Sequence, residues 1–315
     1  PADTSLIAYW PMEDGAAATQ GARPMAGVQP MQVSGFTWAA DSTLAGSGPL
    51  PQLAPPSSMA AKIPPDTTGD WAVECVFNLD SLPAAPTLML QVNATGGTAT
   101  IVQFLVGVAV ARIQTVDATG AVVTSFDATP TGFTGGWTRL QISTLTVSGT
   151  VNLTAQWNTI GTSSFSTSSV SFSGTPGRVA SVSGTWGSGF AGLRLGHLGV
   201  FAASTTSVYD SASTAFDGET ARVRIARVAP EQGAPMSVAA FDQDAELVGP
   251  QAQDTFLNVL TAATQADEGL LHEAREFLGI RYRGRASLYN QPSALDLPYV
   301  ATPQALMAPL KPVDD

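Results

Sequence analysis

Trp71-Ala-Val-Glu-Cys-Val-Phe-Asn-Leu79 is the stretch from which the fold can be read. Trp71, Val73, Cys75, Phe77 and Leu79 fall on one side of an alternating pattern; Ala72, Glu74, Val76 and Asn78 fall on the other. A period of two belongs to a β-strand, because successive side chains leave the backbone on opposite faces. The apolar side predicts a strand packed on a core. It makes Cys75 a buried small residue in the company of Val73 and Phe77.

Working outward, the same texture recurs. Strands are predicted at 5–10, near Gly35 to Ala39, and at 87–93, 100–106, 109–116, 122–128, 138–143, 151–160, 170–173 and 192–202. Thr95-Gly-Gly97, Ala118-Thr-Gly120 and Gly135-Gly136 supply turn signals between many of them. The rest of 16–70 reads as loop, broken by Pro, Gly and Ser clusters, and 161–189 as Ser/Thr/Gly-biased strand edges and loops. Short strands at this spacing, with no helical period between them, describe an antiparallel sandwich or jelly roll.

Near residue 214 the texture changes. A helix is predicted over Thr220 to Glu231, with Gly233 as its stop and Pro230 shortening its last turn. A second is predicted over Thr255 to Ala266. A β-hairpin follows, with arms at 269–275 and 279–285 around Glu276-Phe-Leu278. The expected organisation is a sandwich over 1–208, an α+β segment over 209–290, and a Pro-rich extended stretch over 291–315 leading into a further domain. The chain of 315 residues starts at Pro1 without Met, and is expected to be a piece of a longer polypeptide.

Composition narrows the function. Only 12% of residues are charged and the net charge is −11, with Lys62 and Lys311 as the only lysines. A nucleic-acid partner is not expected, since phosphate binding needs clustered Lys and Arg. The longest apolar run, Ile101 to Val110, is about half the ~20 residues that a membrane-spanning helix needs. Cys75 is the single cysteine, so no intrachain disulfide forms.

Two sets of motifs carry resemblances. Leu6-Ile-Ala-Tyr-Trp-Pro-Met-Glu-Asp-Gly15 resembles the first strand of laminin-G-like, concanavalin A-like lectin domains. Leu193-Arg-Leu-Gly-His-Leu-Gly-Val-Phe201 resembles their last strand, which returns beside the first, and Trp71 to Phe77 resembles their middle strand. The second set is Gly218-Glu-Thr-Ala-Arg-Val-Arg-Ile-Ala-Arg-Val228, Leu247-Val-Gly-Pro-Gln251, Ala266-Asp-Glu-Gly-Leu-Leu-His-Glu-Ala-Arg275 and Tyr282-Arg-Gly-Arg-Ala-Ser-Leu-Tyr-Asn-Gln291. It resembles minor tail proteins of siphophages that infect actinobacteria, and is similar to part of the hub proteins of phage tail tips. The resemblance implies a virion structural protein at the tail tip, assembled with copies of itself as a trimer and with neighbouring tail proteins. The lectin-like domain would then contribute to attachment to host cell-wall glycan. The alternative is a carbohydrate-binding module of a secreted bacterial protein.

Candidate sites follow from these readings. Sugar binding needs exposed aromatic faces beside hydrogen-bonding groups, which makes Trp38, Trp137, Trp157 and Trp186 the glycan-binding candidates. Trp137 follows Gly135-Gly136, and Trp186 lies in Gly184-Thr-Trp-Gly-Ser-Gly189, both loop-like; the plainer reading of each is core or rim packing. Laminin-G-like domains often hold Ca²⁺, which leaves calcium as the one cofactor to look for. Asp14, Asp41, Asp117 and Asp127 sit near turns, but none forms a dense Asp/Asn/Gly loop. His197 reads as a ligand contact or as a half-buried strand residue. His272 has no second histidine at zinc spacing. Arg281, Arg283 and Arg285 are predicted on one face of a strand, either solvated or set against a neighbouring subunit. Glycoside hydrolysis needs two carboxylates about 5–10 Å apart. Glu74 stands alone in its strand, so the expectation is a domain that binds or builds and does not catalyse.

Overall fold

The strand predicted from the opening stretch runs from Ala72 to Asn78. The structure is a computed structural model, and it describes residues 5–22, 27–66, 69–117, 119–162, 164–203, 210–239, 246–252 and 254–289. The predicted extended stretch over 291–315 lies outside the described residues. The chain divides into two compact units, Pro1–Asp217 with Pro250–Gln253, and Gly218–Gly249 with Asp254–Asp315.

The first unit is an antiparallel β-sandwich. Its strands are β1 (Leu6–Trp10), β2 (Gln20–Gly21), β3 (Met31–Asp41), β4 (Leu50–Lys62), β5 (Ala72–Asn78), β6 (Thr87–Thr95), β7 (Ile101–Gly107), β8 (Val110–Val116), β9 (Val122–Ala128), β10 (Trp137–Val147), β11 (Thr150–Thr159), β12 (Ser166–Ser173), β13 (Arg178–Trp186) and β14 (Arg194–Phe201). They hydrogen-bond in the order β12-β11-β10-β5-β14-β4-β13-β6-β7-β8-β9; β1 pairs with β14 and β3 with β4. The last strand therefore returns beside the first, with Trp10 opposite Leu198 and Leu6 opposite Phe201. At the far side the Ser168 hydroxyl of β12 donates to the Phe126 carbonyl of β9 at 2.9 Å, drawing the two ends of the path together. A short helix α1 (Asp210–Ser213) ends the unit's main run.

The core joins both layers. Phe77 of β5, Phe104 of β7 and Trp157 of β11 meet around Phe133, with ring centroids 4.8 to 5.8 Å apart. Trp71, Val73, Cys75, Phe77 and Leu79 are all buried, as their alternation requires. The opposite side of β5 is buried as well: Ala72, Glu74 and Val76 have lost almost all contact with water. The reason is topological, since β5 lies between β10 and β14 in the middle of its layer.

Two long strands escape the sequence patterns. β4 carries Pro51, Pro55 and Pro56, which read as strand breakers. It survives because the register jumps from Leu53 opposite Phe36 to Ser58 opposite Ser34, so Pro55 and Pro56 fall where β3 asks for no ladder N–H. Gly35 faces them at φ +70, and a Cβ there would meet the Pro56 carbonyl oxygen at 2.4 Å. β13 is rich in Ser, Ala and Gly, yet pairs with both β4 and β6. Backbone pairing on two sides, rather than apolar alternation, defines it.

The second unit holds α2 (Ala221–Glu231), β15 (Met236–Ala239), α3 (Phe256–Ala266), β16 (Leu270–Glu273), β17 (Ile280–Arg283) and α4 (Arg285–Tyr289). Thr220 caps α2 by accepting from Val223 N, and Thr255 caps α3 by accepting from Asn258 N, which satisfies N–H groups that the first turn leaves over. Pro230 does not shorten α2, which runs through it before Gly233, at φ +64, turns the chain. The predicted hairpin forms as β16 against β17, and β15 adds to β17 in parallel, a strand absent from the sequence reading. Ala221, Ile225, Val248, Leu260, Ala263 and Tyr282 form this unit's own core.

Candidate functional site

Three strand ends build the site. The register sets Trp137 and Arg194 on either side of Asn78, and Gln52 on the far side of Arg194. Residues opposite one another across paired strands share a face of the sheet. Asp41 closes β3, Asp80 follows β5 by two residues, and the Gly135-Gly136 turn leads into β10. Together Asp41, Thr43, Asn78, Asp80, Gly135, Gly136 and Arg194 line an open depression of about 400 Å³. That lies near the lower end of the roughly 300–1,000 Å³ usual for small-molecule sites.

Arg194 organises it. Its Nε lies 2.9 Å from Asp41 Oδ2, and its Nη1 donates to Asp80 Oδ1 at 2.8 Å. Asp41 is nearly buried and Asp80 is 69% exposed, so the guanidinium is anchored on the inner side and reaches the surface on the other. Asp41 Oδ1 in turn accepts from Thr43 N at 2.8 Å, and Trp137 Nε1 donates to Thr43 Oγ1 at 3.0 Å. The result is a fixed row of groups able to donate and accept hydrogen bonds at a water-exposed mouth.

The four candidate tryptophans do not offer the exposed ring faces expected of them. Trp38, Trp137, Trp157 and Trp186 are all buried, the most exposed being Trp137 at 8%. Trp157 Nε1 donates to the Thr131 carbonyl and Trp186 Nε1 to the Met89 carbonyl. Their ring faces are taken up by packing, with Trp38 and Trp186 against Phe36 and Trp157 against Phe104 and Phe133. Trp186 ends β13 rather than lying in a loop. Trp137 alone adjoins the depression, through its bond to Thr43. Sequence spacing does not group Asp41, Asn78, Asp80 and Arg194, because only the β5–β14 register and the end of β3 bring them together.

The other candidates fall elsewhere. Arg281 lies 3.2 Å from Glu276, and Arg283 donates to the Ser287 carbonyl. Arg285 is not on the strand: β17 ends at Arg283, Gly284 turns the chain, and Arg285 opens α4 and pairs with Glu246 at 2.6 Å. All three guanidinium groups therefore have partners within their own unit. The calcium candidates do not converge. Asp14 accepts from Ala22 N, Asp41 binds Arg194, Asp117 closes its own turn with Thr119 and Ala121, and Asp127 forms a two-pronged pair with Arg112. These residues do not fit a calcium site. Among the described residues no three His, Cys, Asp or Glu side chains cluster to hold a metal.

His197 sits in β14 at φ +50, mostly buried, with its Nδ1 2.6 Å from the Tyr9 hydroxyl and its Nε2 4.0 Å from Glu13. Burial holds its pKa below the usual histidine value, while Glu13 opposes the shift. Burial, aided by Glu13, pushes the Tyr9 phenol well above its usual range. Glu13 also binds Ser47 and Gly48 in the turn between β3 and β4. Glu74, the lone carboxylate of β5, is sequestered by Arg139 and Gln141 and has no access to a ligand in water.

No family model matches the chain, and no curated protein matches it. Among solved structures it is similar to the binding domain of botulinum neurotoxin serotype D, at 10% identity over 64% of this chain, with a TM-score of 0.40. That alignment takes in 49% of the toxin domain. It is also similar to domain 4 of an extracellular arabinanase from Geobacillus stearothermophilus, solved with arabinotriose, at 15% identity over 64% of this chain and 94% of that one, with a TM-score of 0.39. A third is the CBM2 module of the evolved Dit of Lactobacillus casei phage J-1, at 8% identity over 64% of this chain and 98% of that one, with a TM-score of 0.39. These likenesses are too distant to assign a ligand. No helix among the described residues is long and apolar enough to cross a membrane.

Proposed function

We propose that this protein is a structural component of a phage tail tip whose lectin-like sandwich contributes to attachment to host-surface glycan. The observation that carries glycan binding is the open depression in which Asn78, Asp80 and Arg194 present hydrogen-bonding groups at the surface. Hydroxyl-rich ligands are recognised by such convergent polar groups held on a rigid scaffold. The tail-tip part rests on the resemblance of 218–291. It is supported by the presence, in chain order, of the two helices α2 and α3 and the β16–β17 hairpin that the resemblance implies, with β15 between the helices as an addition to it. The same reading places the protein in the virion, in a trimer with neighbouring tail proteins. Its role is binding and assembly rather than catalysis.

Two measurements test it. Immunogold labelling of virions is expected to mark the tail tip, and light scattering of the protein is expected to give a trimer mass. Sedimentation with purified actinobacterial cell walls is expected to carry the protein down, and Asn78→Ala with Asp80→Ala is expected to abolish this. A strictly monomeric protein absent from virions would remove the tail-tip reading. Failure to bind any cell-wall polymer would remove the attachment role.

A further inference from the structure

We infer that the depression takes a neutral sugar through two adjacent hydroxyls and selects against sugars that carry a carboxylate. This rests on the glycan-binding reading above and names the ligand class of the same site.

The argument starts from what each group has left to offer. Arg194 is held at Nε by Asp41 and at Nη1 by Asp80, two carboxylates from separate strand ends. A guanidinium fixed at two nitrogens presents its remaining Nη2 edge without further loss of side-chain freedom. That edge only donates. The second oxygen of Asp80 only accepts, and the Asn78 carboxamide does both. Adjacent hydroxyls match such a set: one gives its proton to the carboxylate, while its neighbour accepts from the guanidinium or the amide.

Charge decides against acidic sugars. Two carboxylates and one guanidinium line the depression, leaving one net negative charge, with no lysine and no second arginine among the lining residues. An incoming carboxylate would be repelled by that excess and would compete with Asp41 and Asp80 for the single cation. No aromatic side chain lines the depression either, so the hydroxyl pattern rather than a stacked ring face sets selectivity.

Gly136 offers a clean obstruction. Gly136 lines the depression, and a Cβ there would meet only Thr159 Cγ2, at 3.7 Å, so a larger side chain can be placed in the lining without removing any polar group.

The test is ligand-observed NMR on the full chain. The probes are methyl glycosides of glucose, galactose, mannose and arabinose, each hexose set against its uronic acid, with thermal melts confirming that variants fold. At least one neutral glycoside is expected to bind. Its uronate should bind about fivefold more weakly, the factor given by one unit-charge contact near 4 Å in water. Raising salt to about 0.5 M should narrow that gap, because exposed charges are screened. Gly136→Leu and Asp80→Ala should each abolish binding. Equal or tighter binding of the uronates, or binding that survives Gly136→Leu, would overturn the inference. So would cell walls that bind while every neutral glycoside fails, an outcome that leaves the attachment reading standing. Failure of cell walls and of all probes would sink both.

Discussion

Glu74 and Arg139 form an ion pair inside the sandwich, with 0% and 4% of their side chains exposed. The Arg139 Nε and Nη2 groups both donate to the carboxylate, and Gln141 donates to it at 3.1 Å. Arg139 lies opposite Val76 and Gln141 opposite Glu74 in the β5–β10 pairing, so neighbouring positions of two paired strands bring the three side chains together. A charge so far from water is tolerated only because its partner is bound to the same sheet.

Removing one member should therefore cost more than removing both. Arg139→Met is expected to destabilise the sandwich by about 3–5 kcal/mol, since it strands a buried carboxylate. Glu74→Leu combined with Arg139→Met should return to within about 1 kcal/mol of the parent, because no charge is left uncompensated. Urea unfolding midpoints of the parent, the single and the double variant measure this. A double variant no more stable than the single one would refute the assignment.

Cys75 should be chemically silent in the native state. Burial, with a smaller contribution from Glu74, pushes its thiol up to about 12. Only the thiolate is an effective nucleophile, and almost none exists near neutral pH. Labelling with a thiol-reactive dye is expected to fail up to pH 9 and to reach one equivalent in denaturant. Rapid native labelling would contradict the burial of β5.

Tryptophan emission offers a third check. All six tryptophans are buried, with exposure no greater than 8%. The native spectrum should be blue-shifted and nearly insensitive to acrylamide, both with and without a glycan. Trp157→Phe and Trp186→Phe each lose an indole hydrogen bond to a carbonyl, and should cost about 1–3 kcal/mol while leaving sugar affinity unchanged. Loss of affinity in either folded variant would return the ligand to the tryptophans.

The pH dependence of the sandwich should carry the signature of His197. Burial lowers its folded-state pKa against the pull of Glu13, so the unfolded chain takes up that proton more readily. Its contribution to stability is complete above about pH 6.5 and declines as the pH falls through that value toward the folded one. Tyr9 and Glu13 are the titratable groups beside it. Asn tolerates the left-handed backbone at this position, so His197→Asn should flatten the stability profile below about pH 6.5 without unfolding the protein. An unchanged slope in chemical denaturation would count against the assignment.

Most of the strands were legible where one face alternates. The stretch from Trp71 to Leu79, the hairpin arms around 276–278, and both helices with their threonine caps carry local signals that their backbones obey. β4 and β13 were not legible, because prolines in one and small polar residues in the other hide strands made by pairing on both sides. The burial of the candidate tryptophans was illegible for a related reason. A glycine-flanked Trp186 reads as a loop residue, but a ring of that size is also what fills the space between two sheets.

By itself, then, the sequence determined the β-sandwich, its central strand, the buried thiol, and the two helices and hairpin that follow the sandwich, because period and capping are local properties of the chain. Only the tertiary structure decided the site. Asp41, the pair Asn78 and Asp80, and Arg194 stand far apart in sequence and meet because β3 and β5 end where β14 begins. It also decided that Glu74 is neutralised by Arg139 rather than free to react, since strand register, which no local pattern encodes, sets which side chains face each other.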